Sequence, residues 1–319
     1  MKAPRQNIPT PTLPTCGEGV KAKPKPIDGV LLLDKPTGWT SNAALQKAKR
    51  LFNAAKAGHT GTLDPFASGL LPICFGQATK FSSHALHGDK TYRAVLKLGV
   101  TTTTGDIEGQ VLETHPVDVR LDTIKQLLPA FTGAIRQIPP MYSALKHQGR
   151  PLYEYARAGI EIERKPREVT IFSLVAEKLE GDLLTINVRC SGGTYIRTLA
   201  EDIGEALGCG AHLIALERTT SGTLSLDAAL SLNALEAMDE QQRLSALLAP
   251  EILVAHLPRL DVDADTAQQL MHGKHPDRPA GCKIEGMVRV YASQGFLGLV
   301  SAGEKLVPSR LMATGVTHT

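Results

Sequence analysis

The sequence predicts an α/β fold of the α+β type, in which a mixed, largely antiparallel sheet carries flanking helices and a small β-rich domain follows at the C-terminus. Alternating apolar residues at 90–99 and again at 183–190 indicate strands with one solvated face. Residues 121–131 and 195–207 have helical spacing. Regular alternation of strand and helix over a long stretch is absent from the sequence. A mixed sheet with helices packed on it therefore fits better than a doubly wound parallel sheet.

The N-terminal part of the chain divides into a tail, a strand and a helix. Residues 1–27 contain six prolines, five Lys or Arg and almost no large apolar side chain. Such a composition predicts a disordered, mildly basic tail. The apolar run GVLLLDK at 29–35 predicts the first strand. Thr40 or Ser41 is expected to cap a helix that runs to about Phe52.

The C-terminal part is predicted to form a separate small domain. Pro250 and Pro258 follow an apolar helical stretch near 233–249, so we expect a main domain over residues 28–250 and a small one over 251–319. Within the small domain, MVRVY at 287–291 and FLGLV at 296–300 are joined by Ser-Gln-Gly, which predicts a β-hairpin. Seven acidic residues balance seven basic ones there, so this domain offers no net attraction for a polyanion.

Composition excludes several classes of protein. The chain has 319 residues, 42% of them hydrophobic, and a net charge of +3, which fits one large globular domain plus a small one. No apolar run approaches the length of a membrane span, and residues 1–28 lack a signal-peptide core, so we expect a cytoplasmic protein. The five cysteines form no CxxC pair or zinc spacing. Free thiols are expected, with neither disulfide nor metal, and Cys74 is expected to be a small buried apolar residue.

The most informative segment is GHTGTLDPFASGLLP at 58–72, which places Asp64 among glycines at 58, 61 and 69. Glycines allow the sharp bends that would let a planar ligand approach the main chain, and Pro65 biases Asp64 toward an extended conformation. An isolated Asp-Pro is also typical of an ordinary turn. The spacing fits neither GxxxxGK[ST] nor GxGxxG, and no second acidic turn of this type exists, which disfavours a phosphate loop or a carboxylate dyad.

Several long motifs in the same order resemble the bacterial TruB family, the pseudouridine synthases that act on the T-loop uridine at tRNA position 55. Besides the Asp64 segment, the motifs are DKPTGWTSN at 34–42, ATKFS at 78–82, KTYRAVLKLGVTTTTGDIEG at 90–109, PPMYSALKHQGRPLYEYARAG at 139–159 and GTYIRTLAEDIGEALGCGAHL at 193–213. Phe66 and Ser68 stand where the family pattern has Leu and Thr. The resemblance implies a pseudouridine synthase fold with a PUA-like C-terminal domain that binds RNA, and it implies a cofactor-free isomerase.

The resemblance implies three catalytic residues. Asp64 would be the essential carboxylate, and it could attack C1′ or C6 or take the C2′ proton; the sequence does not choose among these routes. Arg197, expected early in a helix, would pair with Asp64, lower its pKa and keep it ionised. Tyr92 alternates with apolar residues on a strand, which by itself is typical of a core tyrosine. The family makes it the ring that stacks on the target uracil, with its hydroxyl near the base.

Substrate-binding residues are also carried over from the resemblance. Tyr195 and Leu216 match positions that line the uracil pocket, and Lys80 lies in the ATKFS motif. His59 matches the residue that takes the place of the flipped base, because a uridine inside a folded RNA loop must leave the stack before C1′ becomes accessible.

A basic segment from Arg136 to Arg167 is the expected RNA contact. It contains seven basic residues against three acidic ones, with tyrosines at 142, 153 and 155 between them. Such mixtures suit phosphate neutralisation combined with stacking, although a solvated, salt-bridged surface would have the same composition. With the family motif inside this segment, Lys146 and Arg150 are expected to contact the T arm of tRNA.

Two classes of function follow from the sequence. The favoured one is a monomeric RNA-modifying isomerase, and the competing one is an RNA-binding or tRNA-folding protein on the same scaffold. The set of Asp64, Tyr92 and Arg197 favours the enzyme, since binding alone does not require a buried acid, its arginine and an aromatic ring. A hydrolase with an Asp nucleophile is a third alternative, but the sequence offers no clear base or metal to activate water.

Overall fold

The computed structural model of the protein describes residues 23–86 and 88–312. The strands are, in chain order, β1 (Gly29–Lys35), β2 (Ala57–His59), β3 (Ser68–Phe75), β4 (Lys90–Leu98), β5 (Val100–Thr102), β6 (Val111–Thr114), β7 (Gly133–Gln137), β8 (Lys146–His147), β9 (Arg150–Pro151), β10 (Arg167–Glu180), β11 (Leu183–Cys190), β12 (Ala211–Ser221), β13 (Leu224–Ser225), β14 (Leu230–Ser231), β15 (Arg259–Asp261), β16 (Gly286–Ala292), β17 (Gly295–Ala302) and β18 (Leu306–Leu311).

The helices are fewer than the strands within the described residues. The α-helices are α1 (Ser41–Leu51), α2 (Ser82–Leu86), α3 (Leu121–Leu127), α4 (Leu152–Arg157), α5 (Ile196–Ala206), α6 (Leu232–Ala237), α7 (Glu240–Ser245) and α8 (Ala264–Met271). Short 3₁₀ helices cover Gly76–Lys80, Leu128–Phe131, Leu226–Ala228 and Pro250–Val254. None of the described helices is long and apolar enough to cross a membrane.

The main sheet is mixed and largely antiparallel, as predicted. Its strand order is β14-β1-β3-β12-β4-β11-β10-β7, with β2 and β13 attached to β3 and β12. Only the β1–β14 and β3–β12 pairs are parallel. Strands β3, β12 and β4 are neighbours at the centre of this order, although β12 is far from the other two in sequence. This arrangement brings the chain near residues 64, 92 and 216 together.

The predicted helices form with small differences at their ends. Helix α1 begins after Thr40, whose hydroxyl accepts a hydrogen bond from the Ala43 amide, so the predicted cap is confirmed. The predicted helix at 121–131 is α3 followed by a 3₁₀ turn that contains Pro129, because proline lacks the amide needed to continue an α-helix. The apolar stretch near 233–249 forms two short helices, α6 and α7, and Asp239 caps the second of them.

Residues 23–27 correct the prediction of a disordered tail. The Lys25 amide donates to the Asn53 carbonyl at 2.7 Å, and the Lys25 carbonyl accepts from the Ala55 amide at 2.9 Å. The Lys25 ammonium pairs with Glu240, and Ile27 packs against the main core. These contacts are long-range and mostly made by the backbone, so composition gave no sign of them. The rest of the predicted tail, residues 1–22, lies outside the described residues.

The C-terminal part is a four-stranded sheet in the order β15-β16-β17-β18, with α8 packed on it. Strands β16 and β17 pair antiparallel, which confirms the predicted hairpin. A second apolar cluster joins this sheet to the main one: the rings of Phe81 and Phe296 lie 5.4 Å apart, and Leu253 and Leu299 are buried with them. The shared cluster crosses the predicted boundary at residue 250, and that boundary stays a prediction.

Replacing Phe81 by Ala is expected to destabilise the whole chain. Phe81 is fully buried where the two sheets meet. Its removal should cost about 3–5 kcal/mol and lower the melting temperature by roughly 6–20 °C. Val111→Ala, at an exposed position of β6, is the matched control and should leave melting unchanged. An unchanged melting temperature in Phe81→Ala would show that the two sheets do not share a cooperative core.

Candidate active site

The loop between β2 and β3 holds Asp64 in a fixed position. The Ser41 hydroxyl at the start of α1 contacts both backbone groups of Leu63, donating to the carbonyl at 2.9 Å and accepting from the amide at 2.8 Å. Gly61 and Gly69, but not Gly58, have positive φ values of 102° and 96°. A Cβ atom at position 69 would lie 2.5 Å from the Arg218 carbonyl, so only glycine fits there.

Two nitrogen atoms of the Arg197 guanidinium contact the two carboxylate oxygens of Asp64. The distances are 3.1 Å from Nε to Oδ2 and 3.5 Å from Nη2 to Oδ1. Arg197 follows the N-cap residue of α5 by two positions, near the start of the helix as expected from the sequence. Its side chain is 5% exposed, whereas that of Asp64 is 34% exposed. The carboxylate is therefore fixed by a buried guanidinium on one side and remains accessible to solvent on the other.

The Arg197 guanidinium also contacts one more carboxylate and two backbone carbonyls. Nη1 lies 3.3 Å from Asp106 Oδ2 and donates to the Thr104 carbonyl at 3.1 Å, while Nη2 donates to the Tyr142 carbonyl at 2.5 Å. The buried Asp106 carboxylate accepts in turn from the Thr104 hydroxyl at 2.5 Å. Asp106 was missed as a site residue, although it lies within the motif at 90–109. No local pattern in the sequence indicates that this acid is buried beside Arg197.

The pKa of Asp64 corrects one expectation. Burial raises the pKa of this carboxyl above its ordinary value; Arg197 and Lys35 oppose the rise, and Asp106 adds to it. Arg197 lowers the pKa of Asp64, as expected from the sequence. The loss of hydration and the second carboxylate on the same arginine together outweigh the guanidinium. The net pKa is therefore higher than usual, not lower.

Lys35 fixes the main chain on either side of the site. Its buried ammonium donates to the carbonyls of Pro36, Trp39 and Pro65 at 2.9, 2.7 and 3.4 Å. Burial lowers the pKa of this lysine to about 8, against the opposing attraction of Asp64. Lys35 also escaped the sequence-based assignment, although it lies in the motif at 34–42. It places a positive charge behind Pro65, the residue that follows the catalytic candidate.

Tyr92 and Leu216 face inward, as the sequence predicted for Tyr92. Both belong to the main core, Tyr92 on β4 and Leu216 on the adjacent β12. Burial raises the pKa of the Tyr92 hydroxyl, while the neighbouring Arg218 guanidinium lowers it. The Asp64 charge is close enough to influence this hydroxyl. The structure therefore brings the aromatic candidate, the apolar candidate and the acid to one place.

Two hydrogen bonds from one side chain hold the backbone of Tyr195. The Gln137 side chain donates to the Tyr195 carbonyl at 3.2 Å and accepts from the Tyr195 amide at 3.0 Å. Gln137 is buried and is the last residue of β7. It belongs to the basic segment between Arg136 and Arg167. Because Tyr195 is the N-cap of α5, these two hydrogen bonds also fix the start of the helix that carries Arg197.

His59 ends β2 and is half-buried, with a buried Nδ1 that has no hydrogen-bond partner among the described residues. Burial lowers the pKa of this imidazole, and the charge of Arg218 lowers it further. The side chain is therefore favoured in its neutral form. A neutral ring is suited to stacking or to occupying a space between bases.

Among the described residues, three predicted substrate contacts make no hydrogen bond or ion pair with Asp64 or Arg197. The Lys80 ammonium donates to the Leu311 carbonyl of β18 at 2.8 Å, so it joins the two sheets instead of facing Asp64. Lys146 is exposed on the small hairpin of β8 and β9. Arg150 pairs with Glu154 at 3.3 Å and lies over the Tyr155 ring. The roles of these three residues in RNA binding stay predictions.

Within the described residues, no group of three or more His, Cys, Asp or Glu side chains is arranged to hold a metal ion. Four of the cysteines are free thiols there, at positions 74, 190, 209 and 282. Cys16 lies outside the described residues. Cys74 is fully buried in the cluster that joins the two sheets, which confirms its predicted apolar role.

Comparison with known proteins identifies the family. A model described as "TruB family pseudouridylate synthase (N terminal domain)" matches residues 49–196. Models described as "tRNA pseudouridylate synthase B C-terminal domain" and "Pseudouridine synthase II TruB, C-terminal" match residues 197–253 and 258–312. The chain belongs to the TruB family of pseudouridine synthases. The resemblance seen in the sequence motifs is thereby confirmed, and so is the assignment as an isomerase.

Similar proteins cover most of this TruB-family chain. It is 56% identical to the tRNA pseudouridine synthase B of Dechloromonas aromatica, over 90% of this chain and 96% of that protein. It is 58% identical to the tRNA pseudouridine synthase B of Thiobacillus denitrificans, over 90% of this chain and 97% of that protein. A chain in the crystal structure of a Cbf5–Nop10–Gar1 complex aligns with a TM-score of 0.69 and 29% identity, over 89% of this chain and 85% of that one. These similarities confirm the pseudouridine synthase fold.

Asp64→Asn is expected to remove activity without destabilising the fold. A carboxyl with a raised pKa in the folded state stabilises the protein only in its protonated form, and that contribution is lost as the pH rises through the raised pKa. At neutral pH a neutral amide of the same shape should therefore leave the melting temperature unchanged or higher. The single-turnover rate should fall at least about a thousandfold. Asp182→Asn, which removes an exposed partner of Lys97, is the control for both measurements. Near-normal turnover by Asp64→Asn would contradict the assignment.

Replacing Arg197 by Met should move the acidic limb of the pH–rate profile upward. The role predicted for Asp64 requires its carboxylate form, so the rate is expected to fall as the pH drops through its pKa, which burial already raises. Without the guanidinium, protonation becomes easier and the limb lies at still higher pH. Arg189→Met, which removes a surface partner of Asp89, should not move it. A limb that stays in place would show that Arg197 does not control the charge of Asp64.

Proposed function

We propose that this protein converts the uridine at position 55 in the T loop of tRNA into pseudouridine, without a cofactor and with Asp64 as the essential group. The observation that carries the proposal is the environment of the Asp64 carboxylate. Two nitrogens of a buried arginine contact it, and one-third of the Asp64 side chain is exposed. Tyr92 and Leu216 face inward beside it. Family membership supplies the reaction class. The two relatives named above are tRNA pseudouridine synthases, which supports tRNA as the substrate.

The reaction is an isomerisation, so it needs no net oxidant or reductant. The N1–C1′ bond breaks, the uracil turns, and a C5–C1′ bond forms. The C5 proton is then lost and N1 gains a proton, which leaves the composition unchanged. Asp64 can assist by adding to C1′ or C6 or by removing the C2′ proton, and each route divides one difficult step into easier ones. All three routes require the ionised carboxylate that Arg197 and Lys35 favour.

The remaining site residues are proposed to hold the base. The uridine must leave the folded loop before C1′ can approach a half-buried acid. Tyr92 would stack on the flipped uracil, and Tyr195 and Leu216 would line its pocket. His59, neutral and only partly packed, would fill the space that the base leaves in the RNA.

Contact with the T arm is assigned to the basic segment between Arg136 and Arg167. This segment includes the small β8–β9 hairpin and helix α4, which present Lys146, Arg150 and the tyrosines at positions 153 and 155. Two of its arginines lie over tyrosine rings, Arg150 over Tyr155 and Arg157 over Tyr153. Residues 251–319 are proposed to be a PUA-like RNA-binding domain, and the protein is proposed to act as a monomer in the cytoplasm.

The alternative expected from the sequence was a binding or tRNA-folding protein on the same scaffold. Such a protein would need the basic segment but not the buried pair of Asp64 and Arg197. Burial raises the pKa of Asp64, and the second carboxylate on the same arginine, Asp106, adds to the rise, an electrostatic cost that RNA binding alone does not require. The enzyme is therefore the better-supported function.

The deciding experiment uses the full chain and an unmodified tRNA transcript whose uridines carry tritium at C5. Pseudouridine formation replaces the C5–H bond by a C–C bond, so tritium must appear in water with no cofactor added. One label per tRNA is expected, and a transcript with cytidine at position 55 should release none. Tritium release from the cytidine transcript would overturn the choice of position. Absence of release from both would overturn the enzymatic function.

Replacing Lys146 and Arg150 together by Gln should weaken RNA binding without selecting among sequences. Contacts to phosphate position an RNA but do not read its bases, so a T-arm stem-loop and an unrelated hairpin should lose affinity equally. The slope of log affinity against log salt should become shallower by about 1 to 2. A control with Arg93 and Lys178 replaced by Gln removes two exposed basic residues from the main sheet. An equal loss in that control would mean that charge, not this segment, governs binding.

A further inference from the structure

Trp39 is the only tryptophan of the chain, and the proposed chemistry does not use it. It lies in the loop between β1 and α1 and is 37% exposed. Among the described residues, it belongs to none of the three apolar clusters. Its indole N–H donates no hydrogen bond there, and its ring contacts no other aromatic ring or cation. Tryptophan usually finds an acceptor for its N–H when buried, so this indole is a group without an assigned partner.

The backbone of Trp39 lies beside the residue that follows Asp64. The Gly38 amide donates to the Pro65 carbonyl at 2.8 Å. The Lys35 ammonium donates to the Trp39 carbonyl at 2.7 Å and to the Pro65 carbonyl at 3.4 Å, so one cation joins the two loops. These bonds place an exposed tryptophan next to a carboxylate side chain that is one-third exposed. A ligand as large as RNA that covers Asp64 therefore also reaches Trp39.

The loop that carries Trp39 is also held on its C-terminal side. The Thr40 hydroxyl accepts from the Ala43 amide at 3.0 Å, and the Ser41 hydroxyl contacts both backbone groups of Leu63. The polar groups next to Trp39 thus fix the backbone, and the indole takes no part in fixing it. A ring presented by a fixed backbone loses little conformational freedom when it binds, because only its two side-chain torsions must be ordered.

The chemistry of the indole indicates what it binds. An indole carries no charge and presents two flat π faces, so it suits a planar group better than a phosphate. Every nucleobase of RNA has such a face. A protein bound at Trp39 would compete with RNA for the surface around Asp64, whereas a base of the same RNA would add to its binding. The target uracil is assigned to the inward-facing Tyr92, so the base at Trp39 is a different one.

We propose that Trp39 stacks on a nucleobase of the T loop other than the target uridine. This rests on the proposed function. The stack adds binding energy outside the pocket that holds the target uracil, and it holds the T loop while the target nucleotide is turned out of it. Trp39 is thus an RNA-binding residue that takes no part in the chemical step. Its loss should therefore change affinity and leave the rate of chemistry unchanged.

The single tryptophan allows a direct test on the wild-type protein. Its emission, excited where tyrosine does not absorb, is recorded while a T-arm stem-loop is added to saturation. We expect quenching, because stacking brings the indole into contact with a base. Stem-loops that each lack one base of the T loop then identify the partner, since one of them should bind with little quenching. Unchanged emission with the complete stem-loop would overturn the proposal, as would quenching that no single missing base reduces.

Substitutions separate stacking from a structural role. Trp39→Ala should weaken binding of the complete stem-loop by about fivefold to a hundredfold, and Trp39→Phe by much less, with the single-turnover rate at saturating enzyme unchanged in both. The stem-loop that lacks the stacked base should bind Trp39→Ala and the wild-type protein equally, because both lack the same contact. Leu244→Ala, at a position of α7 that is 39% exposed, is the matched control and should keep normal affinity.

Each result decides the proposal. Normal affinity of Trp39→Ala would overturn it, and so would equal losses for the complete stem-loop and the one that lacks the stacked base. Melting temperatures show whether the variants are folded. If Trp39→Ala does not fold, the emission of the wild-type protein still decides. Tritium release by the wild-type protein tests the proposed function separately: release without quenching overturns only the stacking, and quenching without release overturns only the enzymatic function.

Discussion

The contacts of the Arg197 guanidinium are the constraint on which the site depends. One planar cation contacts the Asp64 and Asp106 carboxylates and the carbonyls of Thr104 and Tyr142. These groups come from three segments far apart in sequence, and the arginine itself starts a fourth. A lysine could supply the charge but not donors fixed in one plane. The geometry at Asp64 is therefore set by an arginine whose position is determined in turn by α5.

The arrangement carries an electrostatic cost that bears on stability. Asp64 and Asp106 compete for the same arginine, and burial penalises the charged form of Asp64. Lys35 offsets part of this cost, while its own ammonium requires three backbone carbonyls in place of water. The core thus holds several charges for the sake of one accessible carboxylate. Proteins commonly give up stability in this way at catalytic centres.

Sequence reasoning worked where the signal was local or where a long motif was present. The period-two alternation located β4 and β11, and Thr40 located the start of α1, because side-chain periodicity and capping depend on near neighbours. The long motifs predicted that Arg197 pairs with Asp64, and the structure shows this pair. Motifs do not show which residues are buried, so Asp106 and Lys35 were missed. Their contacts join segments that are distant in the sequence, such as Arg197 to Asp106 and Lys35 to Pro65, and no local pattern contains such contacts.

Two further differences have the same physical origin. Residues 23–27 are held by backbone hydrogen bonds to Asn53 and Ala55, and a proline- and lysine-rich composition gives no sign of such contacts. Lys80 lies in a family motif, yet its ammonium reaches a carbonyl more than two hundred positions away. In both cases the partner is a main-chain group, which every residue possesses. Sequence identity cannot single out such a partner, and only the fold can.

The support of the ion pair also connects it to the basic segment. The Tyr142 carbonyl occupies Nη2 of Arg197, and the Gln137 amide holds the residue that begins α5. Both belong to the basic segment between Arg136 and Arg167, which is proposed to contact RNA. Loss of the Tyr142 carbonyl as an acceptor would leave Nη2 of Arg197 to Asp64 alone. The proposed contact with phosphate and the charge state of Asp64 therefore depend on one structural element.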